Sequence, residues 1–309
     1  MVGSAIMRIL QKNKDNNIIK VGKNKLDLTN QKAVENFFKK TKIDEVYIAS
    51  AKVGGIYANN VYPANFIYDN SMIQSNIIHS SYSNKVKKLL FLGSSCIYPK
   101  FTKQPMQENQ LLTGLLEPTN EAYAISKILG IKMCESYNRQ YKKLGIDFRS
   151  VMPTNLYGVG DKYDLMNSHV IPGLIRRFHH AKIQKKKQVT VWGTGKPKRE
   201  FLYVDDLASA CVFIMDLKKD IYNRNIDKRN NFINIGSGKE ISIKDLAYKI
   251  KDIIGFEGKL LFDKTKPDGT PLKLLNSNRI KKLGWKPNVK FEDGLLMAYD
   301  EFLKRQWNF

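Results

Sequence analysis

Short apolar runs alternate with helix-length amphipathic stretches through the first half of the chain. Val46-Tyr47-Ile48-Ala49, Leu89-Leu90-Phe91-Leu92 and residues 148–152 each read as a buried strand, bounded by Gly, Ser or Pro. Between them, residues 31–39 place Ala33, Val34, Phe37 and Phe38 on one helical face. Residues 120–141 form a second helix carrying Ile125, Ile128, Leu129 and Met133. Strands separated by helices in this order predict a parallel sheet with crossover helices, a doubly wound α/β fold.

The second half changes character. Turn signals crowd together at Trp192-Gly193-Thr194-Gly195, Gly236-Ser237-Gly238 and Pro267-Asp268-Gly269. Ser242, with Asp245 three residues on, marks a helix start at which each side chain can satisfy a free backbone N–H. A smaller C-terminal domain, interleaved with the first, is expected from the 309-residue length.

A content of 42% hydrophobic residues supplies a core and argues against disorder. The sequence shows neither a signal-peptide pattern nor an apolar run of about 18 residues, so a cytoplasmic, non-membrane protein is expected. Three cysteines (Cys96, Cys134, Cys211) are too few for a disulfide framework. Cys134 and Cys211 fall in apolar helical segments and read as core. So do His179 and His180, which lack partners at metal-ligand spacing, and no metal is expected. The net charge of +23 would attract nucleic acid or any phosphorylated ligand. No basic region alternates with stacking aromatics and no zinc-finger spacing occurs, so a solvated lysine-rich surface is the simpler reading and nucleic acid is not expected as the partner.

Tyr123-Ala124-Ile125-Ser126-Lys127 sets a phenol and an ammonium four positions apart, on one face of a helix. A cation beside a phenol lowers its pKa and suits it to proton transfer. Upstream, Gly93-Ser94-Ser95-Cys96 follows a buried strand, at the end of the sheet where ligands bind in doubly wound folds. A hydroxyl at Ser94 can donate to a substrate oxygen as charge develops there. Met152-Pro153-Thr154-Asn155-Leu156 leaves a third strand in the same manner.

These stretches, with Ala51-Lys52-Val53-Gly54-Gly55-Ile56, Glu117-Pro118-Thr119-Asn120-Glu121, Ser168-His169-Val170-Ile171-Pro172, Arg199-Glu200-Phe201-Leu202, Lys266-Pro267-Asp268-Gly269-Thr270 and Leu283-Gly284-Trp285, span nearly the whole chain. In them the sequence resembles the GDP-L-fucose synthase family, NADPH-dependent 3,5-epimerase/4-reductases of the extended short-chain dehydrogenase/reductase superfamily. The resemblance implies GDP-4-keto-6-deoxy-D-mannose as substrate, NADP(H) as cofactor and a homodimer. It implies a Rossmann-type NADP(H) domain over 1–160, with parts of about 199–238 returning to it, and a GDP-sugar domain over 161–309. By the same resemblance Tyr123, Lys127 and Ser94 serve reduction, while Cys96 and His169 exchange the protons of epimerisation. Gly3, Lys23, Ala49, Ala51, Lys127, Pro153, Thr154, Asn155, Leu156 and His169 border the cofactor. Lys23 would be a counter-charge to a 2′-phosphate. Arg177, Trp192, Arg199, Asp268 and Lys273 hold the GDP-sugar, for whose diphosphate Arg and Lys offer charge and donors.

Against the family pattern, Met1-Val2-Gly3-Ser4 supplies the last glycine of a GxxGxxG turn without the strand and glycines before it. The expectation is an additional N-terminal segment upstream, or else weak cofactor affinity. Two other readings share the scaffold: another nucleotide-sugar epimerase or dehydratase that retains NAD, and a GDP-sugar-binding relative without catalysis.

Overall fold

The computed structural model describes residues 1–22, 24–164, 168–227, 229–266 and 268–305. Its first half runs α1 (Val2–Leu10), α2 (Gln31–Lys40), β1 (Glu45–Ile48), α3 (Ile56–Val61), α4 (Pro63–Ser83), β2 (Lys88–Leu92), α5 (Glu121–Gln140) and β3 (Asp147–Pro153). There follow β4 (Asn155–Tyr157), α6 (Val170–Ile183), β5 (Gln188–Trp192), β6 (Lys198–Tyr203), α7 (Val204–Asp216) and α8 (Lys219–Arg224). The rest comprises β7 (Ile233–Ile235), β8 (Glu240–Ser242), α9 (Ile243–Ile254), β9 (Lys259–Asp263), β10 (Leu272–Lys273), α10 (Asn278–Lys282) and α11 (Phe291–Lys304).

The three apolar runs seen in the sequence are β1, β2 and β3. They pair in parallel, and β7 returns to the far side of β3, giving the order β1-β2-β3-β7. Helices cover both faces, as buried parallel strands require. One core gathers α2, α4 and α5 against the sheet; another packs α1 and α7 on its other face. A second group of strands holds β6 between β4 and β10, with β8 antiparallel to β6, and β5 pairs with β9. Its core lies between α6, α9 and α11.

Three local findings refine the sequence reading. Strand β3 is buried along its whole length although it carries charge. Arg149, fully inaccessible, grips Asp147 through Nε (2.9 Å) and Nη2 (2.6 Å). Its remaining donors reach the carbonyls of Ile214 and Leu217, so the charges of this strand are paired and bonded. In α5, Ile128, Ile131 and Cys134 enter the core, but Ile125 and Leu129 remain 43% and 40% exposed. They lie on another side of the helix, which is apolar on two stripes. Gly130 faces the sheet, where a Cβ would run into the Phe91 ring, and its absence lets helix and strand approach.

Ser242 caps α9 by accepting from the Asp245 amide (3.0 Å). The Asp245 carboxylate, expected to satisfy an amide, instead accepts from the Ser242 hydroxyl (2.6 Å). Cys134 and Cys211 are core. His179 and His180 are half-buried rather than core: the His179 ring lies against Phe302, with Nδ1 2.9 Å from the Tyr299 hydroxyl, tying α6 to α11. Gly3 lies in the first turn of α1, and a Cβ there would meet that of Ala49 at 3.4 Å, so the helix seats closely on the end of β1. Among the described residues no strand pairs with the outer edge of β1, and no helix is long and apolar enough to cross a membrane.

Candidate active site

Strand β2 ends at Leu92, and the chain turns at Gly93, whose amide still bonds to Val151 O (2.9 Å). A single 3-10 turn then presents Ser94 and Cys96 at the carboxyl end of the sheet. Helix α5 brings Tyr123 and Lys127 to the same place. The Lys127 ammonium donates to Leu92 O (2.9 Å) and lies 5.8 Å from the centre of the Tyr123 ring, which meets Phe66 edge-on. Helical spacing thus aligns the pair as expected.

The electrostatics correct one expectation. Burial pushes the Tyr123 phenol well up; negative charge at Cys96 would add to this, and only the Ser94 hydroxyl pulls it back. The Lys127 ammonium, over the ring and bonded to Leu92 O, does not offset this upward push of burial. At neutral pH the phenol is protonated, the form that can donate. Burial also pushes the Cys96 thiol up, opposed by Ser94, Lys273 and Lys127.

Lys127 is itself pushed down to about 8 by burial. The sign of its effect on stability follows directly. Between about 8 and the ordinary 10.5, the unfolded chain holds a proton that the folded chain has lost, so stability rises with pH there. Below 8 the penalty is full, about 3 kcal/mol. K127M is therefore expected to exceed the unsubstituted chain in stability at pH 7, by an amount that shrinks towards pH 10.5. Urea unfolding of both across pH 7–10.5 checks this; a difference that does not change with pH would contradict it.

The residues expected to hold a GDP-sugar form one continuous band. Lys273 on β10 lies in register with Arg199 on β6, and shares with Cys96 a narrow cavity of about 10 Å³. Ser95, Lys100, Glu117 and Thr270 also wall it. Arg199 donates to Thr270 O (2.5 Å) and is pushed down by burial, with Asp268 opposing. Asp268 accepts from the Thr194 amide (2.8 Å) and hydroxyl (2.6 Å), which hold its carboxyl below the usual range and pin the turn after Trp192. Trp192 is 63% exposed, with the Lys266 ammonium 5.8 Å from the centre of its ring. Arg177 donates to Thr190 O (3.0 Å) on the same strand, and burial lowers it too.

On the expected cofactor side, Thr154 bonds through its amide to Ile235 O (3.0 Å), and Asn155 Nδ2 to Glu200 O (2.9 Å). The 153–156 segment therefore crosses from the main sheet to the second group of strands, near Glu200. That inaccessible carboxylate accepts from the amides of Gly238 (2.6 Å) and Leu275 (2.9 Å). Ala49 and Ala51 follow β1 and are half-buried. His169 is exposed at the start of α6 and lies close enough to Asp161 to favour that carboxylate. Lys23 lies outside the described residues. Glu117 and Lys100, joined at 3.2 Å, were not singled out from the sequence as site residues.

A doubly wound sheet with a Ser, Tyr and Lys at its carboxyl end defines a class, and the comparisons agree with it. Residues 1–236 match the NAD dependent epimerase/dehydratase family, and the chain belongs to it. It is 53% identical over 309 residues to the GDP-L-fucose synthase of Escherichia coli (strain K12), covering all of this chain and 95% of that protein. To GDP-L-fucose synthase 1 of Arabidopsis thaliana it is 54% identical over 308 residues, covering 100% of this chain and 92% of that one. Among solved structures, MlghC, a GDP-mannoheptose C4 reductase from Campylobacter jejuni with NADP bound, superposes with a TM-score of 0.88 at 39% identity, covering 98% and 95% of the two chains. Within the class, the chain falls among the GDP-L-fucose synthases.

Proposed function

We propose that this protein converts GDP-4-keto-6-deoxy-D-mannose to GDP-L-fucose, by epimerisation at C3 and C5 and NADPH-dependent reduction at C4. The observation that carries the reading is the convergence of Ser94, Cys96, Tyr123, Lys127 and Lys273 at the carboxyl end of β2, beside a band of cations and an exposed tryptophan.

The residues fit a dinucleotide. The first turn of α1 has no capping side chain and no acidic residue, which leaves its amides and positive dipole end for a pyrophosphate. Gly3 and Ala49 keep that approach narrow. Lys127, with a single carbonyl partner among its recorded hydrogen bonds, retains donors for ribose hydroxyls. Bound NADPH supplies the hydride that C4 receives.

The C4 ketone acidifies the hydrogens on C3 and C5. Each inversion needs a proton taken from one face and returned on the other, by two different groups. Cys96 is one and His169 the other in this reading, each a side chain that can take up and release a proton. Lys273 and Lys127 favour the thiolate of Cys96. In the reduction, Ser94 donates a hydrogen bond to the C4 oxygen and Tyr123 delivers the proton. Arg177, Arg199 and Lys273 receive the diphosphate, Trp192 offers a stacking face, and Asp268 holds the turn that carries it.

Residues 1–160, with part of 199–238, serve the cofactor in this reading, and 161–309 mainly the sugar. A cytoplasmic homodimer fits the chain as well: α4 and α5 leave Tyr68, Ile125 and Leu129 uncovered, a face suited to a second copy.

The test is direct. Incubated with the 4-keto sugar and NADPH, the protein should oxidise one NADPH per sugar and release GDP-L-fucose. Turnover that leaves NADPH unchanged would instead indicate an epimerase or dehydratase that retains its cofactor.

A further inference from the structure

We propose that Glu117 is a positioning residue of this site: its carboxylate, paired with Lys100 and walling the same cleft as Lys273 and Cys96, helps keep Lys273 an ammonium. This deepens the reading above and rests on it for its catalytic meaning. Glu117 stands immediately before the 3-10 turn Pro118–Asn120 that leads into α5, so it is tied to the helix of Tyr123 and Lys127. Its side chain is only 19% exposed, lies 3.2 Å from the Lys100 ammonium, and accepts from the Thr119 hydroxyl at 3.5 Å. It walls the same narrow cavity as Cys96 and Lys273.

The need for a carboxylate there follows from the charges around Lys273. Strand pairing sets Lys273 beside Arg199, two cations in register on adjacent strands. Burial pushes Lys273 down and Arg199 pushes the same way; only Cys96 and Glu117 oppose them. Asp268 faces Arg199, Lys100 faces Glu117, and Lys127, Ser94 and Tyr123 face Cys96. Arginine keeps its proton in proteins, so of two crowded cations the lysine is the one that yields. The thiol is a counter-charge only after it ionises. Glu117 is the other counter-charge that bears on Lys273. Without it burial and Arg199 push Lys273 further towards the amine, and the cation that favours the Cys96 thiolate is weakened.

The experiment follows the lysine itself. Carbon-13 labelling of the lysine side chains in the full-length protein gives an ε-carbon titration for each, and the signal missing in K273M identifies Lys273. E117Q, which preserves shape, should lower the Lys273 midpoint by about one pH unit, a tenfold change in proton affinity, with the other lysine signals in place. E117D should restore part of the shift. K100M, which removes the competing cation, should move the midpoint the other way, and this arm stands even if E117Q folds poorly. A Lys273 midpoint unmoved in both E117Q and K100M overturns the proposal. Turnover of the keto-sugar by the unsubstituted chain is measured alongside: normal turnover with an unmoved midpoint rejects Glu117 alone, whereas absent turnover rejects the reading of the site.

Discussion

Tyr123→Phe is expected to cut C4 reduction by about 10³-fold or more, the scale of losing a positioned general acid. The substitution keeps the ring, its edge-on contact with Phe66 and the ammonium over its face, and removes only the hydroxyl. What is lost is a proton donor whose burial keeps it protonated. The oxygen formed at C4 would retain the Ser94 hydrogen bond but have no acid in place. Proton exchange at C3 and C5 depends on other groups, so deuterium uptake from solvent should continue in this variant. NADPH oxidation followed at 340 nm, with mass spectrometry of the recovered sugar, separates the two. Unchanged NADPH oxidation in Tyr123→Phe would remove the phenol from the reaction.

The same residues show what a sequence can display. Tyr123 and Lys127 share a helical face, and periodicity reveals that; the direction of the tyrosine shift does not follow from spacing, because it depends on how deep the pair lies. Strands β1 and β2 are legible because parallel strands covered on both faces become unbroken apolar runs. In β3 the polar pair Asp147 and Arg149 breaks that rule and is satisfied only by carbonyls at the end of α7, far along the chain. Strands β4, β8 and β10 span two or three residues each and exist through pairing with β6, so no local period marks them. Glu117 escaped assignment for a related reason: its meaning depends on Lys273, which only the fold brings to it.

Cys96→Ser tests the other half of the chemistry, with an expected loss of about 10²- to 10⁴-fold in proton exchange at the sugar. Serine matches the thiol in shape, so the 3-10 turn of Ser95–Ile97 should persist. Its hydroxyl is a far weaker acid than a thiol, and the nearby ammoniums of Lys273 and Lys127, which only partly offset the upward push of burial on the thiol, cannot bring a hydroxyl within reach of neutral pH. Reduction draws on Ser94 and Tyr123 and should survive on whichever sugar occupies the site. The variant should therefore consume NADPH and release a reduced sugar that retains its original configuration at one or both neighbouring carbons. Proton NMR of the product in heavy water reads both points at once, because each inverted carbon carries deuterium and each untouched one does not. His169→Asn provides the complementary case: if Cys96 and His169 serve opposite faces, each variant should block return of the proton on its own face, and their products should differ. GDP-L-fucose formed by Cys96→Ser at the normal rate, with full deuterium at both carbons, would show that the sulfur takes no part in the exchange.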